Sequence, residues 1–108
     1  MRFLLDTNAV IALLKKQPVI SARLRQNRPQ DLAISSIVAH ELLFGAYKSQ
    51  RQEENLARVD ALQFAVLDFD QEDARAAAKL RAVLAAAGTP IGPYDVLVAG
   101  QALARSYR

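Results

Sequence analysis

Carboxylates carry almost all the chemistry this 108-residue chain could perform. Asp and Glu number 11, beside one histidine and no cysteine. A histidine-rich zinc site, a cysteine–histidine nucleophile and any disulfide are therefore excluded. The four glycines, Gly45, Gly88, Gly92 and Gly100, build no Gly-rich loop after the first apolar run. Both the dinucleotide fingerprint and the P-loop are thereby removed. The single His40 reads more simply as an exposed helical residue than as a catalytic base, since no partner for it is visible in the sequence.

Most of the acids have structural explanations. Asp68, Asp70, Glu72 and Asp73 crowd the start of a helical pattern, where Asp70 suits an N-cap and Glu72 and Asp73 suit the first turn. Glu53, Glu54 and Asp60 lie among Arg51 and Arg58 as solvated pairing partners. Three acids fit less well. Asp6 ends an apolar run, where it either caps the next helix or faces a ligand at the sheet edge. Glu41 shares a helix face with Ile37, Val38 and Phe44 and has no basic residue three or four positions away. A carboxylate buried on such a face is costly unless it is paired or bound to a cation, and otherwise must lie at the edge of the stripe. Asp95 opens a helix that is otherwise almost wholly apolar, from Val96 to Leu103, although a capping acid would also stand there.

Carboxylates gathered from separate elements repel one another unless a cation neutralises them. Hard divalent ions such as Mg²⁺ take oxygen ligands and keep their waters. Such ions activate water and stabilise phosphoryl charge in nucleases. Lys15, Lys16, Arg23, Arg25 and Arg28 follow one another with no acid between them, and would suit either a solvated face or a nucleic-acid backbone. A metal-dependent nuclease is one reading of this set.

The elements that must position these residues alternate. Apolar strands are expected at residues 3–5, 32–34 and 65–67. Helices are expected at 9–16, 20–26, 37–48, 52–62, 70–87 and 94–105, with Gly88 as a stop. Val10, Leu13 and Leu14 could present an apolar stripe to a partner helix. Short apolar strands separated by helices predict a parallel sheet buried on both faces, with ligands outside the carboxyl ends of the strands. At 52% apolar and 23% charged, the chain is one domain's worth of sequence and no disordered tail. Its formal charge of +3 permits a polyanionic partner without demanding one. No apolar run approaches the ~18 residues of a membrane span, and Asp6 interrupts any signal-peptide core, so the cytoplasm is the expected location.

Three segments resemble the PIN-domain ribonucleases, and specifically the VapC-type toxins of bacterial toxin–antitoxin pairs. They are Leu4-Leu5-Asp6-Thr7-Asn8-Ala9-Val10, then Ile34-Ser35-Ser36-Ile37-Val38-Ala39-His40-Glu41-Leu42-Leu43-Phe44-Gly45-Ala46, then Gly88-Thr89-Pro90-Ile91-Gly92-Pro93-Tyr94-Asp95-Val96-Leu97-Val98-Ala99-Gly100. Each is weak alone, but their order and spacing match across essentially the whole chain. The resemblance implies a PIN-like three-layer α/β/α fold with a short parallel sheet. It implies that Asp6, Glu41 and Asp95 are catalytic acids holding Mg²⁺ or Mn²⁺, with Thr7 and Asn8 as polar neighbours of the metal. The implied substrate is structured RNA, with tRNA, initiator tRNA included, as the target class. The implied partners are a VapB-type antitoxin that blocks the site and a second copy in a homodimer, with operator DNA contacted only through the antitoxin and no membrane involved.

One departure accompanies the match. Family members continue into a final strand with a Thr/Asn- or Asp-containing motif, whereas this sequence ends at Ser106-Tyr107-Arg108. The expectation is a single PIN domain over residues 1–108, truncated at its C-terminal end, with that last strand missing. A PIN-like domain that only binds RNA or antitoxin is the alternative. A receiver-like signalling domain fits worse, because the first strand offers one acid where a pair is needed.

Overall fold

A computed structural model describes residues 2–108, less the side chain of Pro29. Three parallel strands, β1 (Phe3–Leu5), β2 (Leu32–Ser35) and β3 (Ala65–Leu67), form a sheet of order β1-β2-β3. Phe3 pairs with Leu32, and Ala33 with Ala65. Between and after them run α1 (Thr7–Leu14), α2 (Pro18–Arg25), α3 (Ser36–Tyr47), α4 (Gln52–Asp60), α5 (Gln71–Ala86) and α6 (Pro93–Ala104). The expected elements are all present and the α/β/α arrangement with them.

The differences are instructive. Helix α1 begins at Thr7 rather than at residue 9, because Asp6 is itself the cap and Thr7 and Asn8 fall inside the first turn. Asp70 caps α5 as expected, so the helix proper starts at Gln71. The sheet is not uniformly covered: every residue of β2 is buried, but β3 is an edge strand and Val66 is 51% exposed. An apolar run does not distinguish a central strand from an edge strand, because position in the sheet is set by pairing. Val10 is also misread by periodicity. It is wholly buried in the core with Leu4, Leu5, Ile34, Val38 and Leu42, so it cannot join Leu13 and Leu14 in an exposed stripe.

The last residues fold back along the sheet. Arg108 donates its backbone N–H to the Arg2 carbonyl at 3.0 Å, and its carbonyl accepts from the Leu4 N–H at 2.8 Å. These two bonds form a rung of parallel pairing on the edge of β1 away from β2. Helix α5 ends as expected at Gly88, which takes φ of 74°, while the Thr89 N–H reaches back to the Leu84 carbonyl. The loop then returns the chain to the start of α6. Helix α6 packs closely along α5: a Cβ at Gly100 would lie 2.6 Å from both the Cβ and the N of Ala77.

Candidate active site

The carboxyl ends of β1 and β2 lead into Asp6 and into the helix that carries Glu41, whereas Asp95 sits on α6, which follows α5 rather than a strand. Asp6 follows β1 in an extended conformation, and its Oδ1 accepts the Ala9 N–H at 2.8 Å. It is therefore an N-cap, and that role leaves the second carboxylate oxygen uncommitted. The side chain is exposed. Thr7, the next residue, donates its hydroxyl to Glu41 Oε1 at 3.1 Å, joining the start of α1 to the middle of α3. Glu41 is half-buried, so both sequence alternatives hold in part: it stands at the margin of the apolar stripe and is still partly desolvated. It borders a groove of about 240 Å³ with Ile11, Leu14, Lys15 and Arg58.

Asp95 lies in the first turn of α6, exposed, after Gly92 at the N-cap and Pro93 at the first helical position. Its carboxylate folds back over Gly92, where an added Cβ would stand 3.0 Å from Oδ2. The neighbouring Tyr94 meets His40 of α3 in a T-shaped ring pair, centroids 6.0 Å apart. The two rings span the seam between the helices bearing Asp95 and Glu41. Thus one hydrogen bond ties the Asp6 turn to Glu41, and one ring pair ties the Glu41 turn to the Asp95 turn. Among the described residues, no ion pair neutralises any of the three acids. Nor do any three His, Asp or Glu side chains there form a ready-made cation cage. Asn8 is exposed beside this corner and makes no described side-chain hydrogen bond.

The family model for the PIN domain matches residues 3–107. The chain belongs to the PIN-domain family, among its VapC toxins. It is 42% identical to the tRNA(fMet)-specific endonuclease VapC of Shigella flexneri, over 97% of this chain and 81% of that one. The protein of the same name from Salmonella typhimurium is 43% identical with the same coverage. Among solved structures, the DNA-bound VapBC complex of Salmonella typhimurium superposes with a TM-score of 0.92 at 42% identity, over 99% of this chain and 83% of that one. VapBC2 of Rickettsia felis bound to a promoter DNA fragment gives 0.89 at 30% identity, over 99% and 84%.

The basic stretch is dispersed by the fold. Lys15 borders the groove that contains Glu41. Lys16 and Arg25 instead border a groove of about 840 Å³ with Leu32 and Phe64, at the amino ends of β2 and β3. Arg28 pairs with Asp31 at 3.2 Å. Eight residues of α1 advance the chain by about 12 Å, so Lys15 and Lys16 lie a helix length from Asp6, although Lys15 still borders the Glu41 groove. The run therefore does not form one surface beside the acids.

Two further features escaped the sequence. One is the His40–Tyr94 pair, although each ring immediately precedes one of the acids. The other is Asp73, which does more than complement a helix dipole. It forms a reciprocal capping box with Asp70 and is 1% exposed. Arg105, at the end of α6, binds it with Nη2 at 2.9 Å and Nε at 3.2 Å, and Gln101 Nε2 donates to it at 3.1 Å. Burial alone would raise the Asp73 pKa. The Arg105 hydrogen bonds, the Asp70 N–H, the Arg105 charge and Gln101 outweigh it and hold the carboxyl below its usual range. The Asp73 hydrogen bond correspondingly raises the Arg105 pKa.

Proposed function

We propose that this chain is the ribonuclease of a toxin–antitoxin pair, cutting structured RNA, tRNA above all, with Asp6, Glu41 and Asp95 as its metal-binding acids. The observation that carries the reading is that Thr7–Glu41 and His40–Tyr94 join the elements bearing three acids for which no ion pair is found among the described residues. Identity of 42–43% to tRNA(fMet)-specific endonucleases supports the substrate class, with initiator tRNA as the first candidate.

An all-oxygen donor set with a half-desolvated glutamate suits a hard divalent ion, Mg²⁺ or Mn²⁺. Such an ion supplies an activated water and stabilises charge on the scissile phosphate. The chain's own residues prepare for it. The α1 cap fixes the Asp6 side chain through one oxygen and leaves the other for the ion. The Thr7 hydroxyl orients Glu41. Asn8 adds a polar group beside them. The three carboxylates do not form a cage among the described residues, so binding one ion would require them to move toward one another.

The VapBC structures support a VapB-type antitoxin as the partner. Its inhibitory group would be a cation placed among the acids, an arginine matching carboxylate geometry best, so inhibition should weaken at high Mg²⁺. Operator DNA would be reached through the antitoxin, and the active species would be a homodimer. Among the described residues no helix is long and apolar enough to cross a membrane. An enzyme that cuts tRNA would act in the cytoplasm.

The test is incubation of the purified protein with total tRNA, with and without Mg²⁺ or EDTA, and mapping of the cut. A discrete divalent-dependent cleavage is expected. RNA binding without any divalent-dependent cleavage would overturn the proposal in favour of a binding-only domain.

A further inference from the structure

Exposed rings continue from the acid corner along one face of α3. His40, Phe44 and Tyr47 follow one another at spacings of four and three, which places them on one side of the helix. His40 is exposed, and Phe44 and Tyr47 are 59% and 58% exposed. Tyr94, 46% exposed, abuts His40 from α6. Lys48 sets its ammonium over the Phe44 ring, 5.2 Å from the centroid. Large rings normally withdraw from water, and a contiguous exposed set marks a binding surface.

We propose that His40 and Tyr94 form a stacking step for an unpaired RNA base next to the scissile phosphate, with Phe44 and Lys48 receiving the neighbouring nucleotide. This rests on the nuclease reading of the adjacent acids and assigns the residues that would hold the substrate there. Three observations select RNA over another occupant. The step is built from the residues that immediately precede Glu41 and Asp95, on the same two helices that bear those acids. A T-shaped pair cannot cover both faces of both rings, and an open ring face suits a planar base. Finally, Lys48 provides a cation at the far end of the stripe, where the backbone of a stacked strand needs one. Acids at one end, rings between and a cation at the other match a nucleotide chain better than an apolar helix.

The proposal is tested by binding, in EDTA so that nothing is cut. The probe is a single-stranded oligoribonucleotide carrying one 2-aminopurine, whose fluorescence is quenched by stacking. Quenching on binding is expected with the wild-type chain. Tyr94→Ala and His40→Ala should each weaken affinity about five- to 150-fold and abolish quenching, as expected for loss of one stacked base. Tyr94→Phe should retain both, which shows that the ring rather than the hydroxyl is used. Phe44→Ala and Lys48→Ala should weaken binding without abolishing quenching. Equal affinity and equal quenching in Tyr94→Ala and His40→Ala, with folding verified by circular dichroism, would overturn the proposal. So would a Phe44→Ala variant that changes oligomeric state in size-exclusion chromatography while binding RNA as the wild type does, for then the face is an interface between copies. The nuclease reading fails separately: quenching without divalent-dependent cleavage sinks that reading alone, and cleavage without quenching sinks the stacking step alone.

Discussion

Two groups of carboxylates in this molecule have opposite surroundings. At the α5–α6 junction Asp73 is buried and saturated, with two nitrogens of Arg105, the Gln101 amide and the Asp70 N–H all donating to it. At the acid corner, Asp6 has one backbone donor and Glu41 one hydroxyl, and neither is in a described ion pair with Lys or Arg. The first arrangement pairs both oxygens of Asp73 and binds two helices together, although the buried Gln101 Oε1 has no described partner. The second leaves one oxygen of exposed Asp6 and one of half-buried Glu41 without a described partner. The two groups differ both in burial and in partners: four donors hold Asp73, and one each holds Asp6 and Glu41.

The contrast can be broken most strongly at the acids. Glu41→Gln and Asp95→Asn should each lower RNA cleavage by about a hundredfold or more, since charge stabilisation by a bound metal is worth several kcal/mol and about 1.4 kcal/mol is a factor of ten. Thermal melts in EDTA should show unchanged or slightly raised stability, because removing one like charge relieves repulsion. A collapse in the melt would show that the residue belongs with Asp73. Asp6 is better tested as Asp6→Asn, which can keep the α1 cap; Asp6→Ala should lose about 1 kcal/mol of stability for that reason alone.

Thr7→Val sharpens the same side. It deletes the hydroxyl that orients Glu41 and leaves the acid itself. Cleavage should fall about 10- to 100-fold, the usual effect of losing a partner that orients a metal ligand, and the loss should be partly recovered at high Mg²⁺. A variant as active as wild type at limiting metal would remove Thr7 from the site.

On the structural side, Asp73→Ala should cost about 1–3 kcal/mol in chemical denaturation and leave cleavage by the remaining folded protein unchanged. Its pH dependence has a definite sign. The folded-state pKa lies below the ordinary 3.8, so the stabilisation is complete above that value and is lost as pH falls through the lower one. The wild type should therefore destabilise more steeply than Asp73→Asn below about pH 4. Gly100→Ala tests the same junction through packing. A Cβ 2.6 Å from the backbone N of Ala77 forces the helices apart, at about 1–3 kcal/mol, and the roughly 1 kcal/mol of helix propensity gained offsets only part. An equal or higher melting temperature would mean that α5 and α6 separate easily. The smallest effect belongs to Arg58→Ala, which removes an exposed 3.1 Å pair with Glu54. Its expected cost is about 0.3–0.5 kcal/mol and should vanish in high salt.

What the sequence determined by itself is local. The order of strands and helices, the caps at Asp6 and Asp70, the glycine stop at Gly88 and the Arg58–Glu54 pair all follow from residues within about four positions of one another. Glu41 stood out because helical periodicity alone placed it beside apolar neighbours. Tertiary structure decided everything that depends on residues brought together from afar. Thr7 meets Glu41 across 34 positions, Gln101 meets Asp73 across 28, and Tyr94 meets His40 across the α3–α6 seam. It also decided that Val10 enters the core, that Val66 lies at an edge, and that Lys15 borders one groove while Lys16 and Arg25 border another. Such facts are absent from any sequence window because periodicity fixes which face of an element is apolar, whereas only packing fixes what that face meets.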